Sequence, residues 1–263
     1  MELRDKTVIV TGASRGIGAA VAIAAAAKGA RVGLIARSAG DLDAVRARVG
    51  DRGASAVADV GDAVALSAAI DALEGELGPV DVLVANAGIG AYGPFVDIES
   101  DEVDRLVKVN VLGTIYAIRA VLPGMIARRR GHIVTMGSIA GRIGSPFEAL
   151  YSATKFAGVG LTEALATEVE PYGIGVSIVN PGPVETNFGE ARGHPYDRRR
   201  PKPVSAEVVA NAVVDAVERA KPEVYVPRSF GAAVAIRHLL PRLLRWGTRR
   251  SFRKELAADA QAR

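Results

Sequence analysis

Short apolar runs rich in Val and Ile alternate with longer helical segments along most of this chain, and this alternation limits its possible folds more than any other feature. The predicted strands lie at 7–12, 31–37, 54–59, 81–88, 132–138, 174–182 and 223–227. The predicted helices lie at 16–30, 41–52, 62–77, 100–129, 150–172 and 205–220. Because the strands are apolar throughout, we expect helices to cover both faces of the sheet.

Strand–helix alternation of this kind implies a parallel sheet with right-handed crossovers. We therefore predict an α/β fold with a doubly wound parallel sheet of about seven strands flanked by helices. The 263 residues, 49% of them hydrophobic, suffice for one large core. Since no break in composition divides residues 1–227, we interpret them as one domain.

The segment "TGASRGIG" at 11–18 joins the first predicted strand to the first predicted helix. Gly12 suits a tight turn, Gly16 lets the backbone approach a pyrophosphate, and Gly18 permits close packing of the helix on the strand. The N-terminus of the helix also offers N–H groups and the positive end of its dipole to phosphates. An incidental glycine turn is the alternative for such a cluster alone, but its position at the first strand–helix junction favours dinucleotide binding.

Tyr151 and Lys155 are four residues apart and therefore share one face of a predicted helix. A nearby ammonium favours the phenolate, which moves the pKa of Tyr from about 10 toward the working range of a general acid or base. Ser138 lies at the carboxyl end of the fifth strand, where open α/β sheets bind ligands. Alone, the Tyr–Lys pair is more typical of a core aromatic beside a solvated lysine; together with Ser138 and the glycine turn it favours catalysis.

The chain resembles the short-chain dehydrogenase/reductase family over nearly all of residues 5–227. The matching motifs occur in the family's order: "TGASRGIG", "NAG" at 86–88, Asn110 in "VNVLGT", Ser138, "YSATK" at 151–155 and "NPGPVET" at 180–186. The resemblance implies a single-domain Rossmann fold that binds a dinucleotide, and a nicotinamide-dependent oxidoreductase activity.

The resemblance also implies a role for each motif residue. Tyr151 is the acid–base group, Lys155 lowers its pKa and binds the nicotinamide ribose, Ser138 orients the substrate oxygen, and Asn110 holds a water in a proton relay. The cofactor-binding residues implied are Gly12, Ser14, Arg15, Gly16, Ile17, Gly18, Arg37, Ser38, Asp59, Val60, Asn86, Ala87, Gly88, Tyr151, Lys155, Pro181, Gly182, Val184 and Thr186.

Plainer interpretations stay open for some of these residues. Asn110 can hydrogen-bond locally within its helix. Asp59 can cap the helix that starts near Gly61. Pro181 and Gly182 can form an ordinary turn.

The stretch "LIARS" at 34–38 bears on the choice of cofactor. An acid after the second strand binds the ribose 2′-hydroxyl and repels a 2′-phosphate, but Ala36 occupies the place where the family commonly carries that acid. Arg37 offers a guanidinium fork to the phosphate, Ser38 adds a hydroxyl, and Arg15 approaches from the other side. The sequence therefore predicts that NADP(H) is preferred over NAD(H).

The predicted substrate pocket is lined mostly by apolar or small side chains after the strands: Ile89, Tyr92, residues 139–143, Phe147 and Phe188. This favours hydride transfer to or from a carbonyl or secondary alcohol of a lipophilic substrate, such as a steroid, retinoid or other lipid. Arg142 is expected to be solvated. A 3-oxoacyl-type reductase and a non-catalytic cofactor-sensing protein are the alternatives.

Two segments do not follow the alternation of strands and helices. Residues 183–203 are rich in Gly, Pro and Arg, which is typical of a substrate lid. Residues 228–263 form a basic amphipathic extension with nine basic and two acidic residues (+7), which leaves −3 for the rest. We favour an extension that packs over the substrate mouth or on a neighbouring subunit, and a peripheral membrane contact is the alternative.

Composition argues against other classes of function. The chain has no cysteine, and its three histidines lack ligand spacing, so we expect neither disulfides nor a metal site. The body has no basic excess and no nucleic-acid motif, so no nucleic-acid partner is expected. We see neither a signal peptide nor an apolar stretch of ~18 residues, and expect a cytoplasmic protein.

By resemblance, helices 100–119 and 151–170 pair into a homodimer or homotetramer.

Overall fold

Strands and helices alternate regularly through the computed structural model, which describes residues 1–196 and 201–262. The strands are β1 (Thr7–Thr11), β2 (Arg31–Ala36), β3 (Gly53–Val57), β4 (Val80–Ala85), β5 (Gly131–Met136), β6 (Ile174–Pro181), β7 (Val184–Glu185), β8 (Val204–Ser205) and β9 (Glu223–Val226). The α-helices are α1 (Gly16–Ala27), α2 (Ala39–Val49), α3 (Ala63–Leu77), α4 (Ser100–Val107), α5 (Gly113–Arg128), α6 (Ala149–Val169), α7 (Phe188–Ala191), α8 (Ala206–Glu218), α9 (Phe230–Leu239), α10 (Pro241–Ser251) and α11 (Arg253–Ala262).

Seven parallel strands form the main sheet in the order β3-β2-β1-β4-β5-β6-β9. The strand order reverses between β1 and β4, and the carboxyl ends of these two strands border the crevice in which such sheets bind ligands. The predicted α/β class, the doubly wound parallel sheet and its seven strands are confirmed.

Neighbouring residues of each central strand bury their side chains on opposite faces of the sheet, as the period of two requires. Val8 and Val10 of β1 pack in one core cluster with helices α1 and α8, whereas Ile9 packs in a second cluster with α3 and α5. Both faces are therefore covered, which explains why the strands are apolar throughout.

The helix predicted at 100–129 has one interruption. α4 and α5 are joined by a π-helical segment at Lys108–Leu112, which contains Asn110. The continuous helix Ser100–Arg128 is long and apolar enough to cross a membrane by length and composition alone. Its buried side chains, among them Val121 and Met125, pack against the sheet, so we assign it to the core of the domain.

The segment predicted as a lid contains β7 and α7, and β8 follows directly after it. β7 pairs with β8 in a two-stranded sheet, and α7 lies between them. Residues 197–200 of the predicted 183–203 lid lie outside the described residues. The basic extension after β9 folds into the helices α9, α10 and α11.

His132 is a buried structural residue in β5. Its Nε2 lies 2.8 Å from Ser177 Oγ in β6, and burial lowers the pKa of His132 to about 4. Within residues 1–196 and 201–262, no group of three His, Cys, Asp or Glu side chains could hold a metal ion.

Candidate active site

The glycine turn between β1 and α1 depends on the absence of side chains. Gly12 and Gly16 have positive φ angles of 65° and 55°. A Cβ on Gly18 would come within 2.2 Å of the Gly12 carbonyl oxygen, and one on Gly12 within 2.8 Å of Ala87 Cα. The turn, helix α1 and the loop after β4 therefore approach each other more closely than other residues allow.

The N-terminus of α1 is suited to an anion. It has no side-chain cap and no acidic residue in its first turn, so its first N–H groups and its positive dipole end are available to a phosphate. This arrangement fits the pyrophosphate of a dinucleotide cofactor.

Asn86 holds the glycine turn in place from the end of β4. Its Nδ2 donates to the carbonyl oxygens of Thr11 (2.9 Å) and Gly12 (3.3 Å). In return, Thr11 Oγ1 accepts hydrogen bonds from the backbone N–H groups of Asn86 and Ala87, both at 3.1 Å. The "NAG" motif thus supports the sheet edge next to the turn.

Ser138, Tyr151 and Lys155 come together in the structure, and all three are buried. The Ser138 hydroxyl lies beside the Tyr151 phenol and lowers its pKa. Lys155 Nζ donates to the Met136 carbonyl oxygen at 2.8 Å and lies 5.8 Å from the centroid of the Tyr151 ring. Three of the four side chains predicted to be catalytic therefore share one small volume at the carboxyl end of β5.

A short 3-10 turn fixes the position of Ser138 relative to α6. Ser138 precedes this turn (Ile139–Gly141) and its Oγ accepts from the Ala140 N–H at 3.1 Å. A Cβ on Gly141 would lie 2.7 Å from the Lys155 carbonyl oxygen, so the turn is packed directly on α6. This contact brings the serine hydroxyl beside the tyrosine.

Burial determines the protonation of the two titratable groups. It raises the pKa of Tyr151 above its ordinary value, and the nearby Ser138 hydroxyl acts in the opposite direction. Burial also lowers the pKa of Lys155 to about 8. In this structure burial outweighs the lowering effects of Ser138 and Arg192 on the Tyr151 pKa, because removing the phenolate from water costs more free energy than these neighbours supply. The lowering of this pKa by Lys155 stays a prediction.

Asn110 connects three elements through its amide. Its Oδ1 accepts from the Ile89 N–H (2.8 Å), while its Nδ2 donates to the Ile89 carbonyl oxygen (2.9 Å) and to Thr154 Oγ1 (3.0 Å). The interpretation of Asn110 as a side chain that bonds only within its own helix is therefore wrong. Its role in a proton relay stays a prediction.

Gly88 places this amide next to the lysine. A Cβ on Gly88 would lie 3.4 Å from Asn110 Oδ1 and 3.5 Å from Lys155 Nζ. Glycine thus keeps open the space between the loop after β4 and the buried ammonium.

Asp59 does not cap helix α3, so that alternative is wrong. Its Oδ1 accepts from the Gly61 N–H at 2.8 Å in the loop after β3. The cap is Asp62, which accepts from the N–H groups of Val64 and Ala65 at 3.0 Å. Val60, which the resemblance also implies to be a cofactor-binding residue, is buried.

The two arginines predicted to bind a 2′-phosphate are both exposed, and the backbone segments that carry them are in contact. The Ala13 N–H donates to the Ile35 carbonyl oxygen at 3.1 Å, which joins the glycine turn carrying Arg15 to the end of β2 that precedes Arg37. No hydrogen bond or ion pair within residues 1–196 and 201–262 involves either guanidinium. Ser38 caps α2, where its Oγ accepts from the Asp41 N–H at 3.4 Å.

The segment after β6 folds back over the site. A Cβ on Gly16 would lie 3.3 Å from Thr186 Cγ2, so the strand β7 and Thr186 reach the glycine turn. The Phe188 ring lies 5.6 Å from the Tyr151 ring and would meet a Cβ on Gly90 at 2.8 Å.

The turn at Pro181 and Gly182 is more than an ordinary turn. A Cβ on Gly182 would lie 2.2 Å from the Phe230 ring of α9. The basic extension therefore packs beside the site through its first helix, and its packing over the substrate mouth or on a neighbouring subunit stays a prediction.

An aromatic wall lines the mouth of the site. His194 stacks on Tyr92 with centroids 3.9 Å apart, Tyr92 lies 5.8 Å from Phe147, and Phe147 lies 6.4 Å from Phe252. We define the aromatic wall as these four rings. Two of them, His194 and Phe252, were missed by the sequence interpretation, because the lid and the extension carry no motif that links them to the pocket.

A partly buried ion pair lies on the same side of the site. Arg192 of the lid pairs with Glu148, which precedes α6, and the two side chains are only 11% and 15% exposed. The Arg192 guanidinium also lies 5.3 Å from the Tyr92 ring centroid. Sequence reasoning missed this pair, and only the proximity of Glu148 to Tyr151 along the chain could have suggested it.

The expectation that Arg142 is solvated is wrong. Its side chain is 14% exposed and donates to Glu223 and Glu163, both at 2.8 Å. Because the guanidinium is engaged by these two carboxylates, it packs between the end of the sheet and α6.

Comparisons with known proteins agree with this geometry. The model of the short chain dehydrogenase family matches residues 6–197. The 3-oxoacyl-(acyl-carrier-protein) reductase FabG of Escherichia coli strain K12 is 35% identical over 191 residues, which cover 73% of this chain and 78% of that protein. The chain belongs to the short-chain dehydrogenase/reductase family, whose members are oxidoreductases that bind a nicotinamide cofactor.

A second relative is much larger than this chain. The glycine betaine reductase ATRR of Emericella nidulans is 36% identical over 226 residues, which cover 82% of this chain but only 18% of that protein. Among solved structures, a short chain dehydrogenase/reductase from Burkholderia phymatum in complex with NAD superposes with a TM-score of 0.84 at 26% identity, covering 92% of this chain and 96% of the other.

Proposed function

We propose that this protein is an NADP(H)-dependent oxidoreductase that transfers a hydride between the nicotinamide and a carbonyl or secondary alcohol of a lipophilic substrate. The observation that carries the proposal is the shared burial of Ser138, Tyr151 and Lys155 beside the glycine turn. A buried phenol beside a serine hydroxyl at the ligand-binding edge of such a sheet is placed for acid–base chemistry.

Each of the three side chains has a distinct task in this proposal. Tyr151 gives its proton to the substrate oxygen during reduction and takes it back during oxidation. Ser138 donates a hydrogen bond to the same oxygen and so orients the substrate. Lys155, held by the Met136 carbonyl oxygen, supplies positive charge below the phenol. When bound, the nicotinamide supplies or accepts the hydride.

The preference for NADP(H) is supported by charge at the adenosine end of the crevice. Ala36 provides no carboxylate there, and Arg15 and Arg37 are exposed without an internal partner among the described residues. A guanidinium without a partner gains most from a phosphate dianion, because no existing ion pair has to be broken.

The lipophilic substrate is supported by the aromatic wall and by Phe188 above Tyr151. Such a surface favours an apolar substrate body, because burial of apolar area supplies the binding free energy. A 3-oxoacyl-type reductase is the second candidate, and the 35% identity to FabG of Escherichia coli favours it.

A substrate panel monitored by the absorbance of the reduced nicotinamide separates these candidates. We expect oxidation of NADPH, and slower oxidation of NADH, with bulky apolar ketones. Faster turnover of 3-oxoacyl thioesters would favour the second candidate. Tight binding of cofactor with no turnover of any compound would instead indicate a cofactor-sensing protein.

A further inference from the structure

The extension exposes a group of large apolar side chains where α9 ends and α10 begins. Leu239, Leu240, Leu243 and Trp246 are 78%, 55%, 51% and 60% exposed, and we call these four residues the tail patch. Single exposed apolar residues are common on protein surfaces, but four within eight residues of sequence require an explanation.

Positive charge surrounds the tail patch. Helix α10 carries Arg242, Arg245, Arg249 and Arg250 among its eleven residues, and the chain has no acidic residue between Glu223 and Glu255. Arg250 lies 5.8 Å from the Trp246 ring centroid. In the part of the chain that the structure describes, the other three guanidiniums have no hydrogen-bond or ion-pair partner.

We propose that the tail patch docks on an anionic lipid surface, with α10 lying in the plane of the headgroups. Leucine and tryptophan side chains enter the boundary between headgroups and acyl chains, and the flanking arginines bind lipid phosphates. Anionic lipid complements both halves of this surface, the apolar patch and the unpaired charge.

A second copy of the chain fits the same surface less well. An interface formed by two tail patches related by a two-fold axis would bring the arginines of α10 from both copies close together. Like charges that face each other across an interface are unfavourable, and this stretch of sequence offers no carboxylate to offset them.

The position of the patch relative to the site adds an independent reason. Phe252 follows α10 directly and belongs to the aromatic wall through its contact with Phe147, 6.4 Å away. A protein docked through α10 therefore holds the mouth of its site near the membrane. The delivery of a lipophilic substrate from the bilayer rests on the proposed function, whereas the docking itself does not.

Trp246 makes the docking directly measurable, because it is the only tryptophan of the chain. The full chain is mixed with vesicles of phosphatidylcholine, or of about two parts phosphatidylcholine to one part phosphatidylglycerol. We expect a blue shift of the tryptophan emission and co-sedimentation with the anionic vesicles, both reduced at about 0.5 M NaCl. No substrate is present, so failure of docking is distinguishable from failure of the proposed function.

Two sets of variants test the two halves of the surface by co-sedimentation. Leu243→Ser combined with Trp246→Ser removes apolar contacts and lowers partitioning about ten-fold or more. Replacing Arg242, Arg245 and Arg249 by Gln removes three positive charges and lowers partitioning into anionic vesicles on the order of a hundred-fold.

Two matched control variants remove similar apolar or charged side chains at exposed positions outside the extension. Val64→Ser with Val208→Ser changes two exposed apolar residues of α3 and α8, and Arg4→Gln, Arg46→Gln and Arg48→Gln remove three exposed charges. The controls should sediment like the parent chain, and circular dichroism melting should show that all variants are folded.

The proposal is overturned if the parent chain stays in the supernatant with anionic vesicles, or binds neutral vesicles equally well. It is also overturned if the tail-patch variants sediment like the parent. Light scattering that shows dissociation of an oligomer in Leu243→Ser/Trp246→Ser would assign the tail patch to a second copy of the chain instead.

Discussion

Tyr151 and Lys155 are both buried beside the carboxyl end of β5, and burial moves their pKa values in opposite directions. It raises the pKa of the phenol and lowers that of the ammonium to about 8. The phenol therefore keeps its proton at neutral pH, which is the form that donates to a carbonyl oxygen. The positive charge of an oxidised nicotinamide lowers the pKa of the phenol, which favours its acceptance of a proton during alcohol oxidation.

Cofactor preference is the property that single residues of this chain decide most directly. We expect Arg37→Asp to lower the NADP/NAD ratio of kcat/KM by at least about ten-fold, because a charge-assisted contact to the 2′-phosphate is lost and a repulsion is gained. Steady-state kinetics with each cofactor measure this ratio. Arg48→Asp, an exposed arginine on the adjacent helix α2, is the matched control and should leave the ratio unchanged; an unchanged ratio in Arg37→Asp would refute the assignment.

The identity of the residues in the candidate site could be predicted from the sequence more fully than the contacts that these residues make. Ser138, Tyr151 and Lys155 were predicted to come together, and they do, because their spacing relative to β5 and α6 is local information. Arg192 and Phe252 were missed because each reaches the site through a tertiary contact, with Glu148 and Phe147 respectively. The solvation expected for Arg142 was wrong for the same reason.

The glycine turn is the element in which local sequence and tertiary packing agree most closely. Gly18 faces the Gly12 carbonyl oxygen and Asn86 Nδ2 at distances that exclude a Cβ. The positions of the main-sheet strands and their helices could also be predicted from the sequence. The apolar residues whose spacing identifies these elements are the same residues that are buried in the core.

Substitution of Gly18 tests this packing. We expect Gly18→Ala to lower the free energy of unfolding by about 2 kcal/mol or more and to weaken cofactor binding, because backbone atoms must move. Gly75→Ala in α3 is the control: a Cβ there would meet nothing within 4 Å, so this change should raise stability by about 0.5–1 kcal/mol. Chemical denaturation and cofactor titration measure both effects, and equal behaviour of the two variants would contradict the account.

Other elements could not be predicted from local pattern. The π-helical segment at Lys108–Leu112 interrupts an otherwise ordinary helical period, and within it Asn110 bonds to Ile89 and Thr154, residues distant in sequence. Its geometry is therefore a tertiary effect. The division of the extension into three helices also escaped prediction, since only its charge and amphipathic character are visible in the sequence.

At the scale of the whole molecule, the domain combines a buried parallel sheet with a basic extension that packs beside the site. Phe230 packs against Gly182, and Arg237 donates to the Arg142 carbonyl oxygen and lies over the Phe156 ring of α6. The extension is thus attached to the body at several points. A cytoplasmic location stays a prediction.

We predict that the protein is a homodimer or homotetramer formed through the helices around α5 and α6, so light scattering should give two or four times the mass of one chain. Ile115 is half-buried on α5, and Ile115→Asp should shift the mass toward that of one chain because it places a charge in the interface. Val64→Asp, on the exposed side of α3, should not. A parent chain with the mass of a single copy would contradict the prediction.

The central claim is that Tyr151 moves the proton during hydride transfer, and the variant Tyr151→Phe tests it most directly. Removal of one hydroxyl should lower kcat with NADPH and an apolar ketone by about a hundred-fold or more, whereas the Kd for NADPH, measured by fluorescence titration, should change little. Ser138 and Lys155 remain in place in this variant. Turnover equal to that of the parent chain would contradict the mechanism, because a phenyl ring has no proton to give.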